Sequence, residues 1–588
     1  MLLLTAMPTM AEHVTPETAR KVATTFLTNN GAKAAQLTDL SKAAGFPNLY
    51  IFTAEQGFVV MSADDCVQPI LGYSLTGKFV TDEMPENVSS WLQGYNEGIR
   101  HAIINKTRAT DEVAEQWRLL VNGNSKAALA TPVVDALIQT QWNQGSPYNN
   151  LCPKIGTTTT VTGCVATAMA QVMKFWEHPT TGTSSHSYTW NSQTLSADFG
   201  ATTYDWANMT NAYNSSSNDT QKAAVATLMH HCGVSVEMDY GTSSSGGSAA
   251  STYDVMSALQ TYFSYAPNMQ YKSKDDYEDE VWITMLKNEL NDGRPMQYRG
   301  SDAGGQGGHS FVCDGYDSDD KFHFNWGWGG YCDGFYALDD MEPGTGGIGA
   351  GNGVYTVGQS AIFGIEPISS LAAPTLSATT AEGCINLTWN AISEAESYDV
   401  YRDNVKIATN VSGLTYTDND ISSGVYYEYH VRAVNSETKS NPSNLVTAMT
   451  IFRDLRPSNL TATANGNNVN LEWTGYAGGE SVELHYGVTT NNMGYNAGNE
   501  GTYWGQRYPT TVLENLFGME LNKVSVYLYY AGDYSCYVFN GSISNEDKIH
   551  ESSYTKAQNG MVWVDITPNA NLNIDHTKDL WIVFYYNV

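Results

Sequence analysis

Positive charge is scarce in this chain. Its 588 residues contain 30 Lys and Arg against 61 Asp and Glu, which gives a formal net charge of −31. No run rich in Lys or Arg offsets this balance, and a surface of that sign repels the phosphates of nucleic acids and of anionic membranes. The sequence therefore excludes nucleic-acid binding.

Long apolar runs and paired cysteines are also missing. No stretch reaches the roughly 18–20 apolar residues that a membrane-spanning helix needs. The eight cysteines are scattered without a CxxC pair, which argues against zinc and, at this length, against a disulfide scaffold. One or two bridges stay open. The neighbouring His230 and His231 would point to different faces of a helix without a third ligand, so we expect neither a metal nor a cofactor.

What the chain does have in quantity is glycine and tyrosine, with 52 and 37 residues, while charged residues make up 15%. This composition favours a β-rich protein that works outside the cytoplasm. The first 11 residues combine a short apolar core with a small residue at Ala11, and we interpret them as part of a signal segment. An ordinary buried N-terminal segment is the alternative.

Residues 12–130 show the pattern of a small α+β domain. A capped helix is predicted over 15–31, because Thr-Pro-Glu precedes an apolar stripe that ends at glycine. Alternating apolar residues over 48–79 predict an antiparallel sheet, and 88–107 predicts a second helix. The small, polar and unpatterned residues 122–132 are interpreted as an exposed linker.

The C-terminal part consists of short alternating segments separated by turn residues. Residues 372–450 have the pattern of a β-sandwich, and 455–588 begin with a partial repeat of it. In both copies a tryptophan, Trp389 and Trp473, is interpreted as a core residue. The chain stops on an apolar strand, so we expect the last domain to be truncated.

The first candidate for chemistry is Cys164, which follows Gly163 at the start of a helical pattern that Pro179 closes. A helix N-terminus favours an anion, so a thiol there ionises below its usual pKa of ~8.5. A buried structural cysteine is the alternative. The apolar positions that define the helix are Val165, Met169, Val172, Met173 and Trp176.

The second candidate is a hairpin in which HSFVCDG and KFHFNWGW flank the turn YDSDD. If the turn centres on Asp317, His309 and Asn325 lie opposite each other. A thiolate nucleophile needs a base, and the base needs a third group to hold its tautomer. His309 and Asn325 would supply these two roles. They are merely loop and turn residues in the alternative interpretation.

The third candidate lies upstream, where Gln141 and Gln144 precede the helix of the cysteine. A glutamine amide can donate to an oxyanion together with the backbone N–H of the nucleophile. Solvated surface amides are the alternative. Trp326 and Trp328 could shield a His–Asn hydrogen bond or form a core, and for His323 we favour a structural role.

Together the segments WNQGSPYN, TGCVATAMAQVMK, GGHSFVCDGY and FHFNWGWGGYCDGFY resemble the streptopain family of papain-like cysteine peptidases, in the family's order. The resemblance covers about residues 131–367. It implies that Cys164 is the nucleophile, His309 the general base and then acid, and Asn325 the residue that orients it. It also implies Gln144 as the oxyanion donor and Trp326 as the shielding indole.

The segment FVVMSADDCVQPILGYSLTGKF is similar to the prosegment of that family, which resembles small inhibitor proteins and blocks the site until it is removed. The resemblance implies a cut within or near 122–132, with the mature enzyme starting near Thr131. The C-terminal domains depart from the shortest family members. The first of them, 372–450, resembles fibronectin type III, and the second is a β-sandwich accessory module.

The expected fold class is α+β: a papain-like peptidase domain behind an N-terminal α+β prodomain, followed by all-β sandwich domains. The expected function is that of a secreted or cell-surface bacterial cysteine endopeptidase, made as a self-processing zymogen. Its expected partners are protein substrates, its own prosegment, and a surface glycan or protein bound by the C-terminal domains. A Cys-His acyl transferase and a non-catalytic adhesin are the alternatives.

Overall fold

The computed structural model divides the chain into two units, Met1–Ser369 and Ser370–Val588, each of which is described by itself. The described residues are 13–587, with gaps at 35, 83, 125–131, 302–307, 339–357, 382, 423–424, 450–457, 466–467, 475–494, 497–501, 509–519, 522–523, 529–531, 545, 557–561, 567–571, 576 and 579. The predicted signal segment, most of the linker and the start of the partial repeat lie outside them.

The N-terminal segment, residues 13–124, begins with the predicted helix. Thr15 caps it by accepting a hydrogen bond from the backbone of Thr18 at 3.2 Å, and Gly31 follows its end with φ +80°. The predicted antiparallel sheet is also present. These elements are α1 (Pro16–Asn29), β1 (Thr38–Asp39), α2 (Ser41–Ala44), β2 (Leu49–Thr53), β3 (Phe58–Ser62) and β4 (Ile70–Ser74).

Two further helices follow in the described part of the N-terminal segment. The predicted second helix is α3 (Glu86–Asn105). The sequence analysis missed α4 (Asp111–Val121), which Thr110 caps by accepting from the backbone of Val113 at 3.3 Å. It buries Val113, Trp117 and Leu120 against α1 and the sheet, which form a core of their own.

The described residues of the first unit after 131 include four longer helices, and the first of them, α5, confirms the predicted helix of Cys164. They are α5 (Cys164–Trp176), α6 (Asp219–Ser235), α7 (Asp254–Phe263) and α8 (Asp279–Asn291). Short 3₁₀ turns occur at Trp206–Asn208, Ser243–Ser245 and Lys274–Asp276. The strands are β5 (Pro132–Val134), β6 (Lys154–Ile155), β7 (Thr158–Thr159), β8 (Ser185–Trp190), β9 (Gln193–Asp198), β10 (Gln270–Ser273), β11 (Met296–Ser301), β12 (Gly308–Asp317), β13 (Lys321–Asn325), β14 (Gly334–Ala337) and β15 (Ser360–Phe363).

The N-terminal segment and the strands that follow residue 131 share one sheet. Its strand order is β1-β2-β3-β4-β14-β13-β12-β11-β15-β10, with β5 paired to β12. The junction is antiparallel, with Gly72 opposite Tyr336 and Tyr73 opposite Phe335. One face of the catalytic strands packs against α5, and the other contributes to a second core that includes residues of α3 and α8.

The predicted hairpin exists, but its predicted register is wrong. Val312 lies opposite Asn325, whereas His309 lies opposite Gly300 of β11. The turn comes later than expected because the Asp317 carboxylate accepts from the backbone of Asp319 and of Lys321, both at 2.9 Å. A register shift between Cys313 and Gly315 takes back one residue of this offset.

The first domain of the second unit is a seven-stranded sandwich around one core, and Trp389 lies in that core as predicted. One sheet has the order β16-β17-β20 and the other β19-β18-β21-β22. The strands are β16 (Leu376–Ala381), β17 (Cys384–Trp389), β18 (Ser397–Arg402), β19 (Val405–Val411), β20 (Thr415–Asp418), β21 (Tyr426–Val434) and β22 (Val446–Met449).

The remainder of the second unit is also β-structured, which agrees with the predicted all-β class. Its largest sheet has the order β25-β26-β33-β29-β30. The strands are β23 (Ser458–Asn465), β24 (Asn468–Thr474), β25 (Tyr495–Asn496), β26 (Thr502–Tyr508), β27 (Glu520–Leu521), β28 (Val524–Leu528), β29 (Gly532–Asn540), β30 (Lys548–Lys556), β31 (Val562–Ile566), β32 (Leu572–Asn573) and β33 (Leu580–Asn587).

Candidate active site

Cys164 is the first residue of α5, and the turn before it requires glycine. Gly163 has φ +85°, a region that side chains disfavour. A Cβ there would lie 2.8 Å from the sulfur of Met238 and 3.1 Å from the carbonyl oxygen of Ser248. No side chain caps this helix. The Cys164 thiol therefore sits at a helix N-terminus, where the backbone amides and the dipole favour a thiolate.

Cys164 is more exposed than most other cysteines of the chain. It is half-buried, as is Cys384 in the second unit, whereas the other six are buried. Burial raises the pKa of Cys152 and of Cys332 to about 12, and a thiol in that state is a poor nucleophile. Burial raises the pKa of Cys66, Cys232, Cys313 and Cys536 as well.

One side chain ties the start of α5 to the strand of His309. The buried Gln297 on β11 donates from Nε2 to the carbonyl oxygen of Val165 at 3.1 Å and to Oγ of Ser310 at 2.8 Å. Val165 follows Cys164 and Ser310 follows His309. The backbones of the two predicted reactants are therefore held next to each other.

The strand pairing determines the face of the sheet on which the His309 side chain begins. Ser310 faces α5 through its bond to Gln297, so the neighbouring His309 faces the other way. Gly300, which pairs with His309, confirms this: a Cβ on Gly300 would lie 3.9 Å from Cζ3 of Trp91 on α3. The half-buried His309 thus starts on the face of the sheet that α3 covers.

Asn325 lies on the face of the sheet that packs against α5, and its carboxamide forms hydrogen bonds with groups other than an imidazole. Oδ1 accepts from Nε2 of Gln171 at 3.0 Å and from the backbone of Gly327 at 3.1 Å. Nδ2 donates to the carbonyl oxygen of Thr140 at 2.6 Å. The structure therefore joins Asn325 to the helix of Cys164 through Gln171.

Gln144 lies beside the loop that leads into α5. Its carbonyl oxygen accepts from the backbone of Thr162 at 3.1 Å, two residues before Cys164. The residue is buried, but its side-chain amide has no hydrogen-bond partner among the described residues. A donor next to the nucleophile thus remains available, which is what an oxyanion requires.

Trp326 is buried in the core that includes residues of α3. Its Nε1 donates to the carbonyl oxygen of Cys332 at 3.0 Å, and its own carbonyl accepts from Nδ2 of Asn87 on α3 at 3.0 Å. Its ring centroid lies 5.9 Å from that of Trp91 and 4.6 Å from that of Phe311. In this arrangement the indole contacts the prosegment.

A buried acid-imidazole group lies beneath the loop after Trp326. Nδ1 of His323 pairs with Oδ1 of Asp314 at 2.6 Å, and although burial lowers the pKa of His323, the carboxylate outweighs this and raises it overall. The Asp333 carboxylate accepts from the backbone of Trp326 at 2.9 Å, and burial raises its pKa to about 7. His323 thus joins β13 to β12 through Asp314, which is the structural role expected for it. Asp333 holds the backbone at Trp326.

The remaining candidates contact neighbouring structural groups. The carbonyl oxygen of Gln141 accepts from the Tyr148 hydroxyl at 3.3 Å. Nε2 of His230 contacts the carbonyl oxygen of Ser196 at 3.3 Å, and Nδ1 of His231 contacts the Tyr204 hydroxyl at 2.9 Å. Trp328 packs at the edge of the core of Trp326. In the described part of the chain, no helix has the length and apolarity needed to cross a membrane.

The sequence analysis missed two polar residues of the site, Gln171 and Gln297. Both are fully buried and use their amides to join separate segments. Gln171 carried a signal, because it interrupts the apolar face of α5 and is flanked by residues that are buried. Gln297 carried none, since a glutamine in a strand is ordinarily solvated.

Family models match both parts of the first unit. The model of the Peptidase C10 family matches residues 142–336, and that of the Spi protease inhibitor matches residues 11–99. The first match contains Cys164, His309, Asn325 and Gln144. The second ends within α3.

The chain is 36% identical to streptopain of Streptococcus pyogenes over 342 residues, which are 54% of this chain and 81% of that protein. It is 32% identical to the thiol protease/hemagglutinin PrtT of Porphyromonas gingivalis, covering 60% of this chain and 41% of PrtT. A solved fragment of prointerpain A from Prevotella intermedia is 33% identical, with a TM-score of 0.44, and covers 56% of this chain and 98% of that fragment. The chain belongs to the peptidase C10 family of streptopain, and it is a cysteine endopeptidase that carries an inhibitor-like prosegment as a zymogen does.

Proposed function

We propose that this peptidase hydrolyses protein substrates with Cys164 as nucleophile, His309 as base and acid, and Gln144 as oxyanion donor. The thiolate attacks the peptide carbonyl carbon, and the oxyanion forms between the Gln144 amide and the Cys164 N–H. The His309 imidazolium gives its proton to the leaving amine. Water then hydrolyses the thioester with His309 as base, which releases the acid and restores the thiol.

The single observation that supports Cys164 most is its position. It is a half-buried thiol at the N-terminus of a helix that no side chain caps. Gln144, whose side-chain amide can donate, lies beside the loop that leads into this helix. The resemblance gives Asn325 the role of orienting His309, and Trp326 that of shielding the pair. Both roles stay predictions, because the two side chains now contact other groups.

We also propose that the described arrangement is the latent enzyme. The prosegment helix α3 covers the face on which His309 starts, and Trp91 packs there against Phe311 and Trp326. Productive geometry then requires His309 to reach the face of α5 once α3 has left. The proposed segments are a prosegment at 12–130 and a catalytic domain at 131–367.

Release would follow a cut within or near 122–132, with the mature chain starting near Thr131. Residues 372–450 would form a fibronectin type III-like domain and 455–588 an accessory sandwich.

We place the activity outside the cytoplasm, at the cell surface or in the medium. A surface glycan or protein as ligand of the accessory domains stays a prediction. Cell fractionation with an antibody against the catalytic domain tests the location.

Mass spectrometry of the purified full-length chain over time tests the nucleophile. We expect the parent chain to lose its prosegment and Cys164→Ala to stay intact, because only a thiolate at residue 164 can form the thioester. Cys384→Ala is the matched control, since it removes the other half-buried thiol and should process normally. A Cys164→Ala chain that matures unaided would contradict the proposal.

A further inference from the structure

A buried polar side chain within α5 connects the segments that carry the proposed reactants. Gln171 lies two turns after Cys164 and is fully buried. Its Oε1 accepts from Oγ1 of Thr140 at 2.8 Å and from the backbone of Trp142 at 3.4 Å. Its Nε2 donates to Oδ1 of Asn325 at 3.0 Å. Both ends of the amide are thus used, and they are used by different segments.

Asn325 closes this arrangement into a ring. Its Nδ2 donates to the carbonyl oxygen of Thr140 at 2.6 Å, the same residue whose hydroxyl bonds Gln171. Its Oδ1 accepts a second bond from the backbone of Gly327 at 3.1 Å. Two bonds occupy the two lone pairs of a carboxamide oxygen. Asn325 therefore has no acceptor position left for an N–H of His309 unless it gives one of these bonds up.

The ring belongs to the catalytic domain alone. Thr140, Trp142, Gln171 and Asn325 are each at most 3% exposed, and none of their ring hydrogen bonds involves the prosegment. Buried amides that are fully paired are costly to break, because no water replaces the lost partner. The ring is thus expected to stay in place when the prosegment leaves.

The segment that the ring holds is residues 140–144, named here the oxyanion segment because it ends at Gln144. Gln171 and Asn325 fix its first residues to α5 and β13. Its last residue is tied to the backbone of Thr162, just before the nucleophile. The segment is therefore attached at its start to α5 and β13, and at its end to the loop that leads into α5.

We infer, on the basis of the proposed function, that Gln171 and Asn325 form a clamp that positions the Gln144 amide relative to the Cys164 N–H. Gln171 and Asn325 are positioning residues in this proposal, since neither touches the reacting atoms. Clamping the Gln144 amide differs from orienting the His309 imidazole, and the two roles predict different effects of substitution.

A clamp on the oxyanion donor acts only while the oxyanion exists. Loosening it lowers kcat and leaves KM unchanged, because the substrate in its ground state makes no use of a donor aimed at the transition state. A displacement of about 1 Å at such a donor costs roughly 10²-fold in rate. The clamp does not touch the thiol or the imidazole, so the pH dependence of thiolate formation stays as in the parent enzyme.

The test is a double-mutant cycle between Gln171 and Gln144 in the full-length chain. Each variant is converted with a trace of tagged, matured parent enzyme, which is then removed. We expect Gln171→Met to lower kcat roughly 10²-fold in the parent and less than about 5-fold in a Gln144→Ala background. The pH profile of Cys164 alkylation by iodoacetamide should be the same in all four proteins.

Gln171→Leu is the second variant, because its side chain has neither the acceptor for Thr140 nor the donor to Asn325. It replaces Gln171→Met in the cycle if the latter does not fold. Met173→Ala is the matched stability control on the same helix, since it lowers the melting temperature without touching the ring and should keep kcat.

Two outcomes overturn the clamp: additive losses in the cycle, or an alkylation profile that shifts in Gln171→Met as it would for a disturbed imidazole. A failure of the proposed function itself looks different. In that case Cys164→Ala would still process itself, or Gln144→Ala would keep the parent's kcat.

Discussion

At the scale of single residues, Gly163 shows how tightly the backbone before the nucleophile is specified. Ala at this position would have to adopt φ +85° and place its Cβ 2.8 Å from the sulfur of Met238. We expect Gly163→Ala to destabilise the first unit by on the order of 3 kcal/mol, from backbone strain and overpacking together.

Gly156 provides the matched control for this substitution. It has φ +63°, but a Cβ there meets nothing within 4 Å. Gly156→Ala should therefore cost only about 1 kcal/mol, from the left-handed conformation alone. Urea unfolding of both variants in the Cys164→Ala chain, which does not digest itself, measures the difference. Equal losses at the two sites would refute the packing argument.

Asp333 gives a prediction about pH. Burial raises its pKa to about 7, so the folded state holds a proton that the unfolded state releases near pH 4. Its protonation therefore contributes stability that is complete below about pH 4 and is lost as the pH rises to about 7.

Asp333→Asn should remove this pH-dependent contribution, which is on the order of 4 kcal/mol, while the amide oxygen still accepts from the Trp326 backbone. We expect the variant to gain stability relative to the parent as the pH rises from about 4 to 7. Unfolding free energies at four pH values, again in the Cys164→Ala chain, check this. A difference that does not change with pH would exclude Asp333 as the titrating group.

At the scale of elements, helices with a clear apolar stripe were predictable from the sequence. The helices α1, α3 and α5 fall where 3.6-residue periodicity places them, and for α1 the capping residue Thr15 marks the start as well. The existence of the β12–β13 hairpin was predictable too. Its register was not, because the Asp317 carboxylate and the offset near Cys313 depend on local hydrogen bonds that no alternation pattern reports.

The candidate site was predictable in its residue types but not in its geometry. Cys164 lies in the first turn of its helix, as predicted, and Gln144 lies beside the loop that leads into it. The side on which His309 starts follows from the strand pairing with Gly300, which is a long-range fact. Asn325 bonds Gln171, a polar residue inside an apolar helix face. The partner of such a buried amide is decided by tertiary contacts, which the sequence pattern does not report.

The helix α3 carries a prediction about latency. Trp91 packs against Phe324 and Trp326 of the catalytic segment at ring distances of 5.1 and 5.9 Å. We expect Trp91→Ala to speed self-processing of the full chain, because losing this buried ring weakens the docking of α3 by roughly 3–5 kcal/mol. A gel time course measures it. Ile104→Ala, an exposed position of the same helix, is the control and should process at the parent's rate.

At the scale of the whole molecule, the two units have separate cores. The described core residues of the first unit all precede residue 369, and those of the sandwich begin at Leu371. We therefore expect a chain ending at Ser369 to fold, to process itself and to cleave a protein substrate with the kcat of the full chain. Circular dichroism and turnover of casein check this. Failure to fold would show that the second unit supports the first.

The strand pairing between β4 and β14 has a consequence for the order of events in maturation. A prosegment that shares backbone hydrogen bonds and aromatic packing with its enzyme is not set loose when the connecting peptide is cut. Scission and separation are then two events with two rates. The first product of processing should be a nicked, still silent complex, and activity should lag behind the appearance of the new chain end.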